Sequence, residues 1–179
     1  MKHPAILVLT GASGAGKTTL ILKLNDLGIP GVEGINCDRV KLDFDDNLDG
    51  SDLQAAVLRH WISELSRDES KIEVAVLDTQ IRPHRALEVL NQAGIECAQI
   101  VLVDCDPTTR NKRLHLERFQ SELANPQMDC WAAYLRGQAD ALNLAIIDTS
   151  VDPIEKSLQS LESLVKELLN RVREDSYVG

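Results

Sequence analysis

A glycine-rich segment near the amino terminus constrains the fold of this chain more than any other feature. It reads GASGAGKTT from Gly11 to Thr19, between an aliphatic run that predicts a strand (5–9) and an amphipathic run that predicts a helix (20–24). Glycines let the backbone turn its N–H groups toward phosphate oxygens, and the positive end of the following helix adds to the same anion site. The segment therefore predicts a phosphate-binding loop, and a nucleoside triphosphate is the first ligand to expect.

The loop follows the pattern Gly-x4-Gly-Lys-[Ser/Thr], which gives two side chains a chemical role. Lys17 would reach the β and γ phosphates as a catalytic cation, and the Thr18 hydroxyl would ligate Mg²⁺. ATP and Mg²⁺ are thus the expected ligands, although the loop does not distinguish ATP from GTP. The residues expected to bind the nucleotide here are Gly11, Ala12, Ser13, Gly14, Ala15, Gly16, Lys17, Thr18 and Thr19.

Composition limits the classes of partner. With 179 residues and 44% apolar content, residues 1–179 can form one domain with a core of its own. A net charge of −9 and 3% aromatic residues disfavour extensive, sequence-independent binding to nucleic acid. The four widely spaced cysteines predict neither a zinc site nor a disulfide framework, and the short amino-terminal apolar run predicts no membrane span. We expect a cytoplasmic protein with no membrane partner, and its oligomeric state stays open.

Short aliphatic runs alternate with longer helical patterns along the chain. This alternation indicates crossover connections and a parallel sheet, hence an α/β fold with three α/β/α layers and a small helical lid. Such a sheet binds its ligands at the carboxyl ends of its strands. The five predicted strands are Ala5 to Thr10, Gly34 to Cys37, Ile72 to Asp78, Gln99 to Asp104 and Leu144 to Asp148.

Two aspartates follow predicted strands next to the phosphate-binding loop. Asp38 could hold an acceptor hydroxyl and take its proton, or it could be an ordinary surface turn residue. Asp78 could assist Mg²⁺ through water or contact the incoming substrate; the alternative is a helix cap before Pro83.

A basic cluster, Arg110, Lys112, Arg113 and Arg118, lies on and after a helix predicted from Thr108 to Phe119. Concentrated positive charge in so acidic a chain favours neutralisation of transferring phosphoryl oxygens, whereas the alternative is a solvated face that pairs with nearby glutamates. The polar segment 117–129 could close as a lid over the phosphates, or it could be a simple connection to a helix predicted from Asp129 to Asn143.

Together, the loop, Asp78-Thr79-Gln80-Ile81-Arg82, and Arg113 followed by Arg118 resemble the small kinases of the adenylate, shikimate and gluconate kinase group. The resemblance covers nearly the whole chain. It implies that Arg82 contacts an acceptor phosphate or carboxylate, Arg113 lies against adenine, and Arg118 reaches over the phosphates from the lid. Because the chain lacks the Gly-Phe-Pro of adenylate kinases and the paired aspartates of shikimate kinases, the resemblance does not name the acceptor.

These observations favour transfer of the γ-phosphoryl of Mg·ATP to a hydroxyl or phosphate of a small-molecule acceptor. A nucleotide-dependent switch or ATPase with a protein partner is the alternative, although Asn111-Lys112-Arg113-Leu114 breaks the base-reading pattern of guanine switches. Kinase action on nucleic-acid ends is the weakest reading, because the charge and aromatic content oppose it.

Overall fold

A parallel five-stranded sheet forms the centre of the protein. The computed structural model describes residues 3–37, 50–67, 71–150 and 153–177. Within these ranges the strand order is β2-β3-β1-β4-β5, and every neighbouring pair is parallel. The strands are β1 (Ala5–Thr10), β2 (Val32–Asn36), β3 (Val74–Asp78), β4 (Ala98–Asp104) and β5 (Ala145–Asp148). The predicted parallel sheet is confirmed.

Helices cover both faces of this sheet, because the strands are apolar on both sides. Ala5, Leu7 and Leu9 of β1 pack with α1 and α6, whereas Ile6 and Val8 pack with α2 and α3. The predicted three-layer α/β/α architecture is confirmed. The helices are α1 (Lys17–Asp26), α2 (Gly50–Arg67), α3 (Pro83–Gln92), α4 (Pro107–Lys112), α5 (Pro126–Ala141) and α6 (Ile154–Tyr177).

The helix predicted from Thr108 to Phe119 is divided in the structure. Residues Pro107–Lys112 are α-helical, whereas Arg113–Glu117 form a π-helical turn. Single π turns are rare and occur often at functional sites. A short 3-10 helix, Ser121–Leu123, then leads into α5.

Helix α5 begins three residues earlier than predicted. The side chain of Asn125 caps it by accepting a hydrogen bond from the Met128 backbone N–H at 2.9 Å, and Pro126 follows at the first helical position. The segment 117–129 therefore includes the end of the π turn, the 3-10 helix and the first turn of α5. No helix in the described part of the chain combines the length and apolar character that a membrane span requires.

The sheet topology collects the functional segments at one edge. The loops after β1, β3, β4 and β5 all leave from strand carboxyl ends, and Leu9 is in register with Asp78 while Asp104 is in register with Asp148. The phosphate-binding loop thus lies between the loops that follow β3 and β4.

Candidate active site

The glycine-rich loop is built so closely against the sheet that side chains are excluded from part of it. Gly11 has φ +154°, and a Cβ atom at this position would lie 2.2 Å from the Val103 carbonyl oxygen. Gly14 has φ +82°, and its Cβ would meet the Arg110 side chain at 3.0 Å. Ala12, Ser13 and Ala15 are buried around these glycines. Positive φ angles and close packing without Cβ atoms let the backbone make the tight turn that recognition of phosphate by N–H groups requires.

Lys17 and Thr18 occupy the first turn of α1, directly after the loop. Lys17 is buried, and its Nζ donates to the carbonyl oxygens of Gly11 at 2.8 Å and Ala12 at 3.3 Å. Thr19 is exposed beside them. The predicted loop residues thus lie together at the start of a helix, where the helix dipole favours an anion.

Asp78, at the end of β3, lies against the same turn of α1. Its Oδ2 accepts a hydrogen bond of 2.7 Å from the Thr18 hydroxyl, and its Oδ1 lies 4.0 Å from Lys17 Nζ. Asp78 does not cap α3, since the residue at that N-cap position is Arg82. The capping alternative is therefore wrong, and Asp78 is joined to the phosphate-binding loop.

The Thr18 and Asp78 oxygens suit Mg²⁺. This ion prefers oxygen ligands, and it usually binds through one or two protein groups together with substrate phosphates and water. Among the described residues, no cluster of three or more His, Cys, Asp or Glu side chains could hold a metal alone. The hydroxyl and carboxylate at 2.7 Å fit a magnesium site completed by a phosphate ligand.

Arg113 ties three segments together at the other side of the loop. Its Nη1 donates to the Thr149 hydroxyl at 2.8 Å and to the Gly14 carbonyl at 3.3 Å, and its Nη2 donates to the Thr149 carbonyl at 2.7 Å. The buried Thr149 hydroxyl in turn donates to the Ala15 carbonyl at 2.8 Å. The turn after β5 is thereby fixed to the phosphate-binding loop.

The basic residues after β4 separate into two environments. Arg113 and Arg118 line a cavity of about 290 Å³ together with residues of the phosphate-binding loop and Glu117. Arg110 is buried, and it pairs instead with Asp129. The position of Arg110 therefore does not support the expectation that it neutralises a phosphoryl group. The alternative of a fully solvated basic face does not hold for Arg110 either, because this residue is buried.

Cys105 lies beneath the loop, and its thiol contacts the Gly14 carbonyl at 3.8 Å. Burial raises the pKa of this thiol, so it stays protonated at neutral pH and acts as a packing group.

A second cavity of about 460 Å³ lies beyond the end of β3. Arg82 lines it, and its contact with an acceptor stays a prediction. Asp38, the other predicted acceptor residue, lies outside the described residues. The lining residues are Gly50, Ser51, Gln54, Gln80, Arg82 and Trp131.

Gln54 and Trp131 were not singled out as site residues in the sequence. Thr149 directly follows the end of β5, in the segment 147–150 that the resemblance to the small kinases places beside an adenine ring. Gln54 and Trp131 lie within amphipathic helices, where only the tertiary packing shows that they face a cavity.

Solved structures of other proteins share the architecture of this chain, although comparison of the sequence alone finds no relative. No family model matches the sequence, and no curated protein matches it. Among solved structures, the gluconokinase from Sinorhizobium meliloti 1021 is 15% identical over 99% of this chain and 98% of its own, with a TM-score of 0.57. The shikimate kinase from Acinetobacter baumannii, in complex with shikimate, is 16% identical over 92% and 94%, with a TM-score of 0.59.

The APS kinase from Mycobacterium tuberculosis, in complex with AMPPNP and APS, is 18% identical over 93% of this chain and 99% of its own, with a TM-score of 0.54. Likeness at such low identity establishes the fold and leaves the reaction open. The chain has the fold of the small P-loop kinases.

Proposed function

We propose that this protein is a P-loop phosphotransferase that moves the γ-phosphoryl of Mg·ATP to a small-molecule acceptor. The observation that carries the proposal is the 2.7 Å contact between the Thr18 hydroxyl and the Asp78 carboxylate, with Lys17 Nζ 4.0 Å from the same carboxylate. A cation, a hydroxyl and a carboxylate converge there on a loop shaped for phosphate, as phosphoryl transfer requires. The fold of the three kinases described above supports the same reading.

In the proposed reaction, an acceptor oxygen forms a bond to the γ-phosphorus while the bond to the β,γ-bridging oxygen breaks. ADP takes the electron pair of the broken bond, and a hydroxyl acceptor gives up its proton. Lys17 and Arg118 would stabilise the phosphoryl charge, and Thr18 with Asp78 would hold Mg²⁺, which withdraws charge from the phosphates when bound. Asp38 is proposed to receive the proton of a hydroxyl acceptor, and Arg82 to bind the acceptor.

The lid also belongs to this proposal. Arg118 is exposed at the carboxyl end of the π turn, and it lines the cavity beside the phosphate-binding loop. Movement of segment 117–129 over that cavity would exclude water and favour transfer over hydrolysis. We place the reaction in a single domain, residues 1–179, and in the cytoplasm.

Calorimetry with Mg·AMPPNP tests nucleotide binding directly. We expect binding by the wild-type protein, none by Lys17→Ala, and wild-type affinity for the control Lys23→Ala, because Lys23 lies in the last turn of α1, far from the loop. Thr18→Ala should weaken the magnesium-dependent part of the affinity, and Thr18→Ser should restore it. Unchanged affinity in Lys17→Ala contradicts the proposal.

A coupled assay for ADP tests the transfer. A panel of sugars, sugar acids, nucleosides and nucleotides should contain compounds that raise ADP formation, and Arg118→Ala should lower turnover more than nucleotide affinity. Hydrolysis that is indifferent to every small molecule, together with a nucleotide-dependent protein partner, would instead support the switch or ATPase alternative.

A further inference from the structure

Arg82 is held by two aromatic side chains from a distant helix. Trp131 and Tyr134 of α5 stack on each other, with ring centroids 5.6 Å apart and planes at 19°. The guanidinium carbon of Arg82 lies 5.8 Å from the Trp131 centroid and 5.7 Å from the Tyr134 centroid. Both distances are within the range of cation–π attraction. The rings therefore hold this half-buried side chain in place.

The charge of Arg82 has no carboxylate partner within the described residues. Arg85, in the first turn of the helix that Arg82 precedes, pairs with Asp52 at 2.8 Å and with Glu88 at 2.6 Å, so a neighbouring arginine of similar exposure is neutralised. No N–H group of Arg82 donates to another described residue. Because guanidinium donors point outward in the plane of the group, contact with aromatic rings is compatible with binding an oxyanion along the edge of that plane.

The cavity beside Arg82 has the chemistry of a binding pocket for a small polar anion. Its volume of about 460 Å³ is that of a metabolite site, and among its described lining residues Arg82 carries the only charge. The other side chains, Ser51, Gln54 and Gln80, offer hydroxyl and amide groups, and Trp131 adds an apolar wall. A cation that pairs with no carboxylate of the described residues is notable in a chain of net charge −9.

Hydrogen bonds hold the segment that lines this cavity at the edge of the sheet where the phosphate-binding loop lies. The Gln80 backbone N–H donates to Gln54 Oε1 at 3.3 Å, and the Thr10 hydroxyl donates to the Ile81 carbonyl at 2.5 Å. These bonds fix the segment between Asp78 and Arg82 against β1 and α2. An acceptor bound at Arg82 would thus lie on the same edge of the sheet as the nucleotide loop.

From these contacts we propose that Trp131 and Tyr134 are positioning residues, which orient Arg82 toward an oxyanion of the acceptor, the contact that the resemblance to the small kinases already implied for Arg82. This inference rests on the proposed function. Carboxylates and phosphate monoesters both supply suitable oxygens, so a sugar acid and a sugar phosphate are the two sources to separate. Gln54 and Gln80 would bind the hydroxyl groups of either compound.

The test uses the full chain with its nucleotide site saturated by Mg·AMPPNP, so that added anions cannot bind in the phosphate loop. Gluconate, glucose 6-phosphate and uncharged glucose are titrated by calorimetry. At least one of the two anions should bind at least about tenfold more tightly than glucose, as a charge-assisted hydrogen bond predicts. Tighter binding of gluconate would identify a carboxylate as the oxyanion, and tighter binding of glucose 6-phosphate would identify a phosphate.

Variants then locate the binding. Arg82→Gln should remove the preference for the anion over glucose, whereas the matched control Arg85→Gln should retain it. Tyr134 contacts Arg82 but is not among the described residues that line the cavity, so Tyr134→Leu should weaken anion affinity by about 2- to 30-fold, the range of a cation–π contact, and Tyr134→Phe should restore most of it. Glucose affinity should change little in both Tyr134 variants, which separates positioning of Arg82 from general damage to the pocket.

Tryptophan emission gives a second readout. The chain has two tryptophans, so Trp131 alone reports in a Trp61→Phe background, and the bound anion should change its emission. Failure of Mg·AMPPNP to bind the wild-type protein refutes the proposed function. Normal nucleotide binding with no preference for either anion, or with a preference that survives Arg82→Gln, overturns this inference alone.

Discussion

Thr149 provides the sharpest test of how the site is assembled. Its buried hydroxyl accepts a hydrogen bond from Arg113 Nη1 at 2.8 Å and donates one to the Ala15 carbonyl at 2.8 Å. The same hydroxyl also lies within donating distance of the Asp104 carbonyl oxygen, at 3.3 Å. Thr149→Val has nearly the same shape, so it removes these hydroxyl bonds without creating a cavity. The substitution thereby isolates the contribution of one hydroxyl that links Arg113 to the phosphate-binding loop.

The size of the expected loss follows from the two shorter of these bonds, since a hydroxyl has one proton to donate. A hydrogen bond to a charged group contributes about 1.5–3 kcal/mol and a neutral one about 1 kcal/mol, and the loss also leaves a buried carbonyl unsatisfied. Arg113 keeps its bonds to the Thr149 carbonyl at 2.7 Å and the Gly14 carbonyl at 3.3 Å, which reduces the cost. We expect the free energy of unfolding to fall by about 2 kcal/mol, which in a chain of this length lowers Tm by about 4–8 °C.

Equilibrium urea unfolding and thermal melts measure this change. Thr149→Ser keeps the hydroxyl and should lie much closer to wild type, and Thr108→Val, an exposed threonine of α4, should change stability by less than about 0.5 kcal/mol. Mg·AMPPNP affinity should also fall in Thr149→Val, because the loop loses a support at Ala15. A Thr149→Val protein as stable as Thr108→Val would refute the reasoning that this hydroxyl holds the loop.

Three further predictions concern the loop, a helix cap and the cysteines. Gly11→Ala places a Cβ 2.2 Å from a backbone oxygen, so it should abolish nucleotide binding in calorimetry and destabilise the fold, whereas Gly137→Ala, in open space on α5, should stabilise by about 0.5–1 kcal/mol. Asp106 is the N-cap residue of α4. Hydrogen bonds from the Thr109 hydroxyl and backbone lower the pKa of Asp106 from its ordinary 3.8, so its contribution to stability is present at neutral pH and is lost as pH falls through the folded-state value. The stability advantage of wild type over Asp106→Asn in urea titrations should therefore shrink in acid, and a constant difference would contradict this assignment. Thiol labelling of the native protein followed by mass spectrometry should modify exposed Cys130 and spare Cys105, whose burial raises its pKa; equal labelling would show that Cys105 is accessible.

The strands and the loop could be predicted because their signals are local. A run of aliphatic residues such as Ala5–Thr10 is buried on both faces wherever the sheet packs, and the glycine spacing needs no distant partner to be recognised. Asp78 was placed near the loop for a more general reason, since parallel strands bring their carboxyl ends to one edge. Its contact with Thr18, 60 residues away along the chain, follows from that rule.

The basic segment after β4 shows where such reasoning fails. Arg110 and Arg113 are the same residue type three positions apart, yet Arg110 is buried against Asp129 while Arg113 bonds Thr149. Periodicity also predicted an unbroken helix there, but the backbone changes to a π turn at Arg113. Neither outcome is encoded in the local pattern, because both depend on which neighbours the fold brings to each side chain.

The sequence by itself determined the α/β class, the position of the phosphate-binding loop and the identity of its lysine and threonine. These depend on backbone geometry and on short-range periodicity, which a few adjacent residues specify. Only the tertiary structure decided which charges face the cavities, which are neutralised, and that Trp131 and Tyr134 hold Arg82. Those contacts join residues far apart in the chain, and their energies exist only after the helices and strands have packed.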